Sequence, residues 1–577
     1  MKQLSIFLLF LVSASIHAQT PQQSIPLAIE DPAMDAYLSS RKLPELTIKV
    51  INRPASEKKV DISYVLVTFG SSAQIKKNAQ ANDNGEVKIL LEQNLPYQQI
   101  WLSVDTFLYA GVYVNTDLTV TVDVSKLKAE AYMIEDGINY SGTDGEFNTV
   151  MNEHVIFRQK HITDPSSRLF DLARKRLMAS SKSSEVESQF LTAADSIYQK
   201  LLKIDRDFAD KFPNYAWAFK NETHSEFYRF IFDAYLVGGI PNEMEEKVLA
   251  HKPLFTSNAG VDFYNSLTRY ATSMAYQKEG LSFQELNKYR DNRSLYEQAI
   301  LDSIIHFEKM DNSRTTEDNL IFSSLTDKGY QLFSKELQLI FLEKNMKVLG
   351  ENPSIGRADI FRLSLLASTK DFYESAYPTI LNSTKTSWCR RLIQNELIFA
   401  TAKQKEMDIL LASASKIDSS DIFIGKPLLK LPFGADLYRL DSIMTVDDFV
   451  VSLKSKFKNK ALIIDFWATW CGPCISDMPY SKKLHEENSD LPIEYIYLCT
   501  TSQSNEKLWK KRIIDAKIPG THIFIDDKLV TELQNKFDTV RGFPAYVLVD
   551  INGRSNSKSI KFMNSINIEG IKQLAGL

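Results

Sequence analysis

The sequence predicts a multidomain chain: an antiparallel β domain, a mostly helical middle region and a C-terminal α/β unit. Three observations predict it. A length of 577 residues exceeds what one core organises, at roughly 100–200 residues per domain. Apolar and polar residues alternate with period two from about Leu43 to Leu127, then recur at helical spacing after Lys128. From about Asp421 onward, apolar strand-like runs alternate with polar helical ones, the grammar of a sheet with parallel pairs covered on both faces. The expected boundaries are a leader at 1–18, a sandwich-like β domain at 19–128, helices at 129–420 and the α/β unit at 421–577.

The leader comes first. "MKQLSIFLLFLVSASIHAQT" has a basic start at Lys2, an apolar stretch from Leu4 to Val12 and a small-residue exit at Ala18, the order of a secretory signal peptide. The apolar run is shorter than the ~20 residues a spanning helix needs, and no cysteine stands near the exit for lipid attachment. The expectation is export, with no transmembrane segment after signal removal. A net charge of -4, from 68 basic and 72 acidic residues, provides no electrostatic footprint for nucleic acid or an anionic membrane.

In the β domain, "LTIKVIN", "VDISYVLVTFG", "GEVKILLEQ" and "DLTVTVDV" read as strands, and Asn84-Gly85 in "NDNGEV" is a hairpin signal. In the helical region, "SSEVESQFLTAADSIYQKLLKIDRDFADKF" and "GYQLFSKELQLIFLEKNMKVLGENP" place apolar residues on one face, with Gly350 and Pro353 as a stop. Aromatic stripes such as "HSEFYRFIFDAY" read as core packing. The eight histidines are scattered, and neither a Gly-x-Ser-x-Gly elbow nor a His-Glu-x-x-His zinc motif is present, which argues against a hydrolase.

The α/β unit carries the chemistry. "ALIIDFW" reads as a buried strand and "CISDMPYSKKLHEEN" as a helix, so Cys-Gly-Pro-Cys lies where one gives way to the other. Unpaired N–H groups and the helix dipole there favour a thiolate at Cys471, lowering its pKa from about 8.5 toward 7. Two intervening residues on a helical turn bring Cys474 within bonding reach, so Cys471 attacks a disulfide and Cys474 resolves the mixed intermediate. Pro473 suits the first turn. Asp465, a carboxylate inside "LIIDFW", is costly to bury unless neutral or paired, and a raised pKa fits it to exchange a proton with Cys474. A zinc site and a purely structural disulfide are the competing readings: the first lacks a second pair of ligands and the second closes too short a loop to remove much entropy. Cys389 and Cys499 read as buried free thiols.

"DFWATWCGPC", followed at a distance by "RGFPAYVLVD", resembles the thioredoxin superfamily, and within it the exported TlpA/ResA-like thiol-disulfide oxidoreductases of bacteria. The resemblance implies a thioredoxin-like fold for about 421–577 and assigns Trp470, Cys471, Gly472, Pro473 and Cys474 to the redox motif and Asp465 to the buried acid. It further implies that Pro544 is a cis-proline beside the cysteines, with the backbone of Phe543 pairing with a client chain. "DMP", Asp477 to Pro479, resembles an acidic-apolar-Pro element of the same helix, with Pro479 expected to kink it. One departure stands out: the lysine that accompanies the buried acid in cytoplasmic thioredoxins has no counterpart in "EYIYLCT". The order of β domain, helical middle and redox unit also resembles a class of secreted Bacteroidota-type proteins.

The leading expectation is a thiol-disulfide oxidoreductase that reduces disulfide-containing protein clients in the envelope. Its cofactor requirement would be none beyond the Cys471–Cys474 disulfide, and its electrons would come from a membrane donor of the DsbD or CcdA kind. An oxidase or isomerase using the same cysteines is the alternative. A third possibility, from another class, is an envelope binding protein with an accessory redox domain.

Overall fold

The computed structural model describes residues 26–577 apart from 54–60, 70–74, 105–107, 128–135, 179–183, 279, 281, 289–291, 311–312, 351, 369–373, 418–421, 441–443, 503 and 540–541. The leader and the expected boundaries near 128 and 420 lie outside the described residues. The chain divides into two compact units, Met1–Leu397 and Ile398–Leu577.

In the first unit, period-two alternation builds two four-stranded sheets. One has the order Glu86–Leu90, Glu45–Ile51, Asp117–Asp123, Ile138–Ser141; the other has Ile75–Gln80, Asp61–Leu66, Gln98–Val104, Leu108–Val114. Leu46, Ile48, Ile100, Leu102 and Val120 belong to the apolar layer they share. The pairings are antiparallel except that Glu45–Ile51 runs parallel to Asp117–Asp123. Asn84-Gly85 does turn the chain, but the strands it joins lie in different sheets, so the expected hairpin is a crossover. The cause is a distant partner: Glu86–Leu90 pairs with Glu45–Ile51, and Val50 N–H donates to the Gly85 carbonyl and pins the turn against the first sheet. Gly85 sits at φ +78°, and a Cβ there would lie 2.2 Å from the Val50 carbonyl oxygen, so the turn requires glycine.

The helical part follows its apolar periodicity. Phe227, Phe230, Ile231 and Phe232 of Ala216–Ala234 are core, as the aromatic stripe implies. The run expected as one helix near Gly329–Met346 is broken: Thr316–Leu332 ends and Ser334–Met346 begins at Phe333, whose ring is buried with Phe283, Leu301 and Ile304. A buried ion pair ties the segment before the first strand to these helices. Glu30 accepts from Tyr264 Oη at 3.0 Å and Arg357 Nε at 2.5 Å, while Arg357 also donates to the Leu249 and His251 carbonyls.

The second unit is a seven-stranded sheet. Its strands are β1 (Lys426–Leu431), β2 (Ala435–Leu440), β3 (Ala461–Trp467), β4 (Ile493–Thr500), β5 (Gly520–Ile525), β6 (Ala545–Val549) and β7 (Ser555–Asn556), in the order β7-β6-β3-β4-β5-β2-β1. The central pairs β3–β4, β4–β5 and β5–β2 are parallel; β6, β7 and β1 join antiparallel. The helices are α1 (Val446–Lys456), α2 (Gly472–Glu487), α3 (Glu506–Ala516), α4 (Asp527–Lys536) and α5 (Ile568–Ala575). Leu462, Ile464 and Phe466 of β3 pack with Phe449 of α1 and Leu533 of α4, whereas Ile463 and Trp467 pack with α2, α3 and α5. Both faces are covered, which is why β3 reads as an unbroken apolar run around Asp465.

Candidate active site

β3 ends at Trp467 on the side where the parallel strands finish, and a three-residue turn delivers Cys471 as the N-cap of α2. Cys471 donates its N–H to the Ala468 carbonyl at 3.0 Å, and its sulfur accepts the Cys474 N–H at 3.1 Å. Cys471 and Cys474 are disulfide-bonded, with Cα atoms 5.3 Å apart. The bond is nearly covered, the two residues being 4% and 3% exposed. Anything that reaches the sulfurs therefore has to press against what surrounds them. That rim is exposed: Trp470 is 52% accessible, and Gly472 and Pro473 face solvent. Trp470 donates its ring N–H to the Ser502 carbonyl, and its ring and that of Phe543 stand nearly perpendicular with centroids 5.8 Å apart.

Phe543-Pro544 is a cis peptide bond. The antiparallel register Phe466↔Ala545 brings Pro544 to the end of β3 from which the redox loop departs. Pro479 lies inside α2, which runs through it to Glu487 although the proline supplies no N–H to the helix.

Behind the disulfide lie two buried carboxyls. Asp465 is 4% exposed on the β3 face that carries Ile463 and Trp467. Its Oδ1 has no hydrogen-bond partner among the described residues. Burial, and secondarily the charge of Asp477, push its carboxyl well above the usual range. Asp477, three residues after Cys474 and 3% exposed, is richly served: it accepts from Tyr546 Oη at 2.6 Å, Met563 N–H at 2.6 Å and Asn564 N–H at 3.3 Å. Sequence reasoning noted Asp477 only within Asp-Met-Pro; its three-residue spacing from Cys474 was the signal that it shares that helix face.

In place of a lysine, Asp465 has tyrosines. Tyr497 of β4 and Tyr546 of β6 are its register partners on either side. Tyr497 shares a hydrogen bond with Ser481 at 2.9 Å and stacks on His522, whose imidazole burial holds down to about 3. Cys499 and Cys389 are free and buried, with burial raising both thiols.

Residues 430–564 match the Redoxin family model. Among curated relatives, a thiol-disulfide oxidoreductase ResA of Oceanobacillus iheyensis is 39% identical over 9% of this chain and 26% of its own. The thioredoxin-like protein YneN of Bacillus subtilis is 38% identical over 17% and 54%, and a ResA of Bacillus cereus is 28% identical over 24% and 82%. The chain thus spans between a quarter and about half of the first two relatives' length. A thioredoxin domain of a thiol-disulfide oxidoreductase from Bacteroides vulgatus is 24% identical, over 21% of this chain and 81% of that one, with a TM-score of 0.18. The second unit therefore carries a Redoxin domain, thioredoxin-like in fold and similar to the TlpA/ResA-like proteins.

Proposed function

We propose that this chain is an exported thiol-disulfide oxidoreductase that reduces disulfides of envelope proteins. The observation that carries the reading is the Cys471–Cys474 disulfide at the head of α2, beside cis Phe543-Pro544 and in front of buried Asp465. In the reduced enzyme, the Cys471 thiolate attacks a client disulfide, forms a mixed disulfide and expels one client thiolate, which takes a proton from water. Cys474 then gives its proton to the Asp465 carboxylate and attacks the Cys471 sulfur, releasing the second client thiolate. Two electrons pass to the client. A dithiol donor must return them, and a membrane donor of the DsbD or CcdA kind fits an exported reductant. Phe543 would pair with the client backbone, and Trp470 would form the wall against which the client lies.

The deciding experiment is the reduction potential of the Cys471–Cys474 pair in the mature protein, equilibrated with defined thiol buffers, with Cys471→Ser as blank. A value at or below about −250 mV supports a reductant; one above about −150 mV replaces it with an oxidase or isomerase. Export is tested separately, by sequencing the N-terminus of the cell-fractionated protein for cleavage after Ala18.

A further inference from the structure

Asp465 and Asp477 meet in one buried region, and two carboxyls in such a place cannot both ionise cheaply. What decides between them is hydrogen bonding. A carboxylate accepting several N–H or O–H bonds is held in its charged form, whereas one buried without donors is held neutral. Asp477 accepts three such bonds, two from the main chain of Met563 and Asn564, while Asp465 Oδ1 has none. Tyr546 links the pair: its backbone is the β6 register partner of Asp465, and its hydroxyl reaches Asp477.

We infer that Tyr546 is a positioning residue: by donating its hydroxyl hydrogen to Asp477, it keeps the pair's negative charge there and leaves the pair's proton on Asp465. The groups facing Asp465 support this assignment. β4 presents Tyr497 and Cys499, β6 presents Tyr546, and α2 presents Asp477 near the cysteine pair. His522 of β5, stacked behind Tyr497, is neutral, so none of these described groups is a cation that would hold Asp465 ionised.

The inference rests on the exchange chemistry proposed above and specifies its proton. When a donor thiolate attacks Cys471 in the oxidised enzyme, the S–S bond breaks and Cys474 leaves as a thiolate, taking the proton of Asp465 directly or through one water. When the mixed disulfide with a client is resolved, the same proton returns to Asp465. Electrons enter from the donor and leave to the client, while the proton is conserved within the site.

The test is an isotope-edited infrared titration of the carboxylic-acid band of Asp465 in the intact, oxidised protein, with Asp465→Asn as blank. Tyr546→Phe removes one donor from Asp477, which then competes for the proton. The Asp465 midpoint should fall by about one pH unit, a tenfold change in its ionisation constant. Loss of packing alone would alter stability and leave the midpoint in place, so an unchanged or raised midpoint overturns the assignment. If Tyr546→Phe does not fold, Asp477→Asn serves: removing the facing charge should also lower the midpoint, and no shift there is equally fatal. The titration uses no client, so a failed client-reduction assay and a failed inference remain distinguishable.

Discussion

Glu222, in the first unit, gives a stability prediction whose size follows from its surroundings. Its carboxyl accepts from Ser257 Oγ at 2.8 Å and Tyr113 Oη at 3.2 Å, and burial raises its pKa from 4.5 to about 7. The folded form binds the proton more tightly, so this contribution is complete below pH 4.5 and is lost as pH rises to about 7. At 1.36 kcal/mol per unit, the loss is about 3 kcal/mol. Two neighbouring histidines work in the opposite sense: burial lowers His224 from 6.5 to about 4 and His251 from 6.5 to about 3. Their contributions are complete above pH 6.5 and are lost as pH falls. Between pH 4.5 and 6.5 the two histidines outweigh the one carboxyl, and above 6.5 only the carboxyl changes, so local stability peaks near pH 6.5. Glu222→Gln offers an oxygen to Tyr113 and an N–H that Ser257 can accept, and it does not titrate. Hydrogen-exchange mass spectrometry of the helix Ala216–Ala234 should show the variant gaining on the wild type through this window, by up to about 3 kcal/mol at pH 8. Parallel curves for the two proteins between pH 4.5 and 7 would refute the reasoning.

Other substitutions address the site and the fold. Cys474→Ser should accumulate a mixed disulfide between Cys471 and a client, visible by non-reducing mass spectrometry; turnover equal to wild type would remove Cys474 as the resolving residue. Asp465→Asn should slow resolution of a mixed disulfide by roughly 10²–10⁴-fold at pH 7 in stopped-flow exchange. The same substitution should raise the unfolding midpoint in alkali, because a carboxyl whose folded pKa is raised loses its stabilising contribution as pH climbs from its unfolded pKa through its folded one, and the asparagine has none to lose. Arg357→Met leaves Glu30 buried with Tyr264 still donating and should cost about 3–5 kcal/mol, read as an earlier unfolding transition of the first unit.

The legible parts of the molecule are those whose signals are local. "ALIIDFW" announces a central strand because both of its faces are buried, and Cys-Gly-Pro-Cys announces a helix start because Pro473 and the N-cap position suit each other. What stayed hidden depends on strand partners. The Asn84-Gly85 turn forms as its residues dictate, yet it connects two sheets because Glu86–Leu90 pairs with Glu45–Ile51, a partner far away in sequence. Phe333 interrupts a helical periodicity because its ring is claimed by a neighbouring cluster, which no count along the chain reveals.

The candidate active site divides the same way. Asp465 stands out in the sequence because a lone carboxyl in an apolar strand demands an explanation, and a lysine beside it would be a cation. The sheet register answers differently: the neighbours are Tyr497 and Tyr546, and the second charge is a carboxylate, Asp477. A cation beside Asp465 would favour ionisation and lower its pKa, whereas an anion raises it. In the proposed exchange, Asp465 would deliver a proton while the disulfide is closed and would become a base only after Cys474 has taken that proton. On that proposal the direction of proton flow would follow from the redox state of the cysteines, with the hydrogen bond from Tyr546 to Asp477 setting the bias.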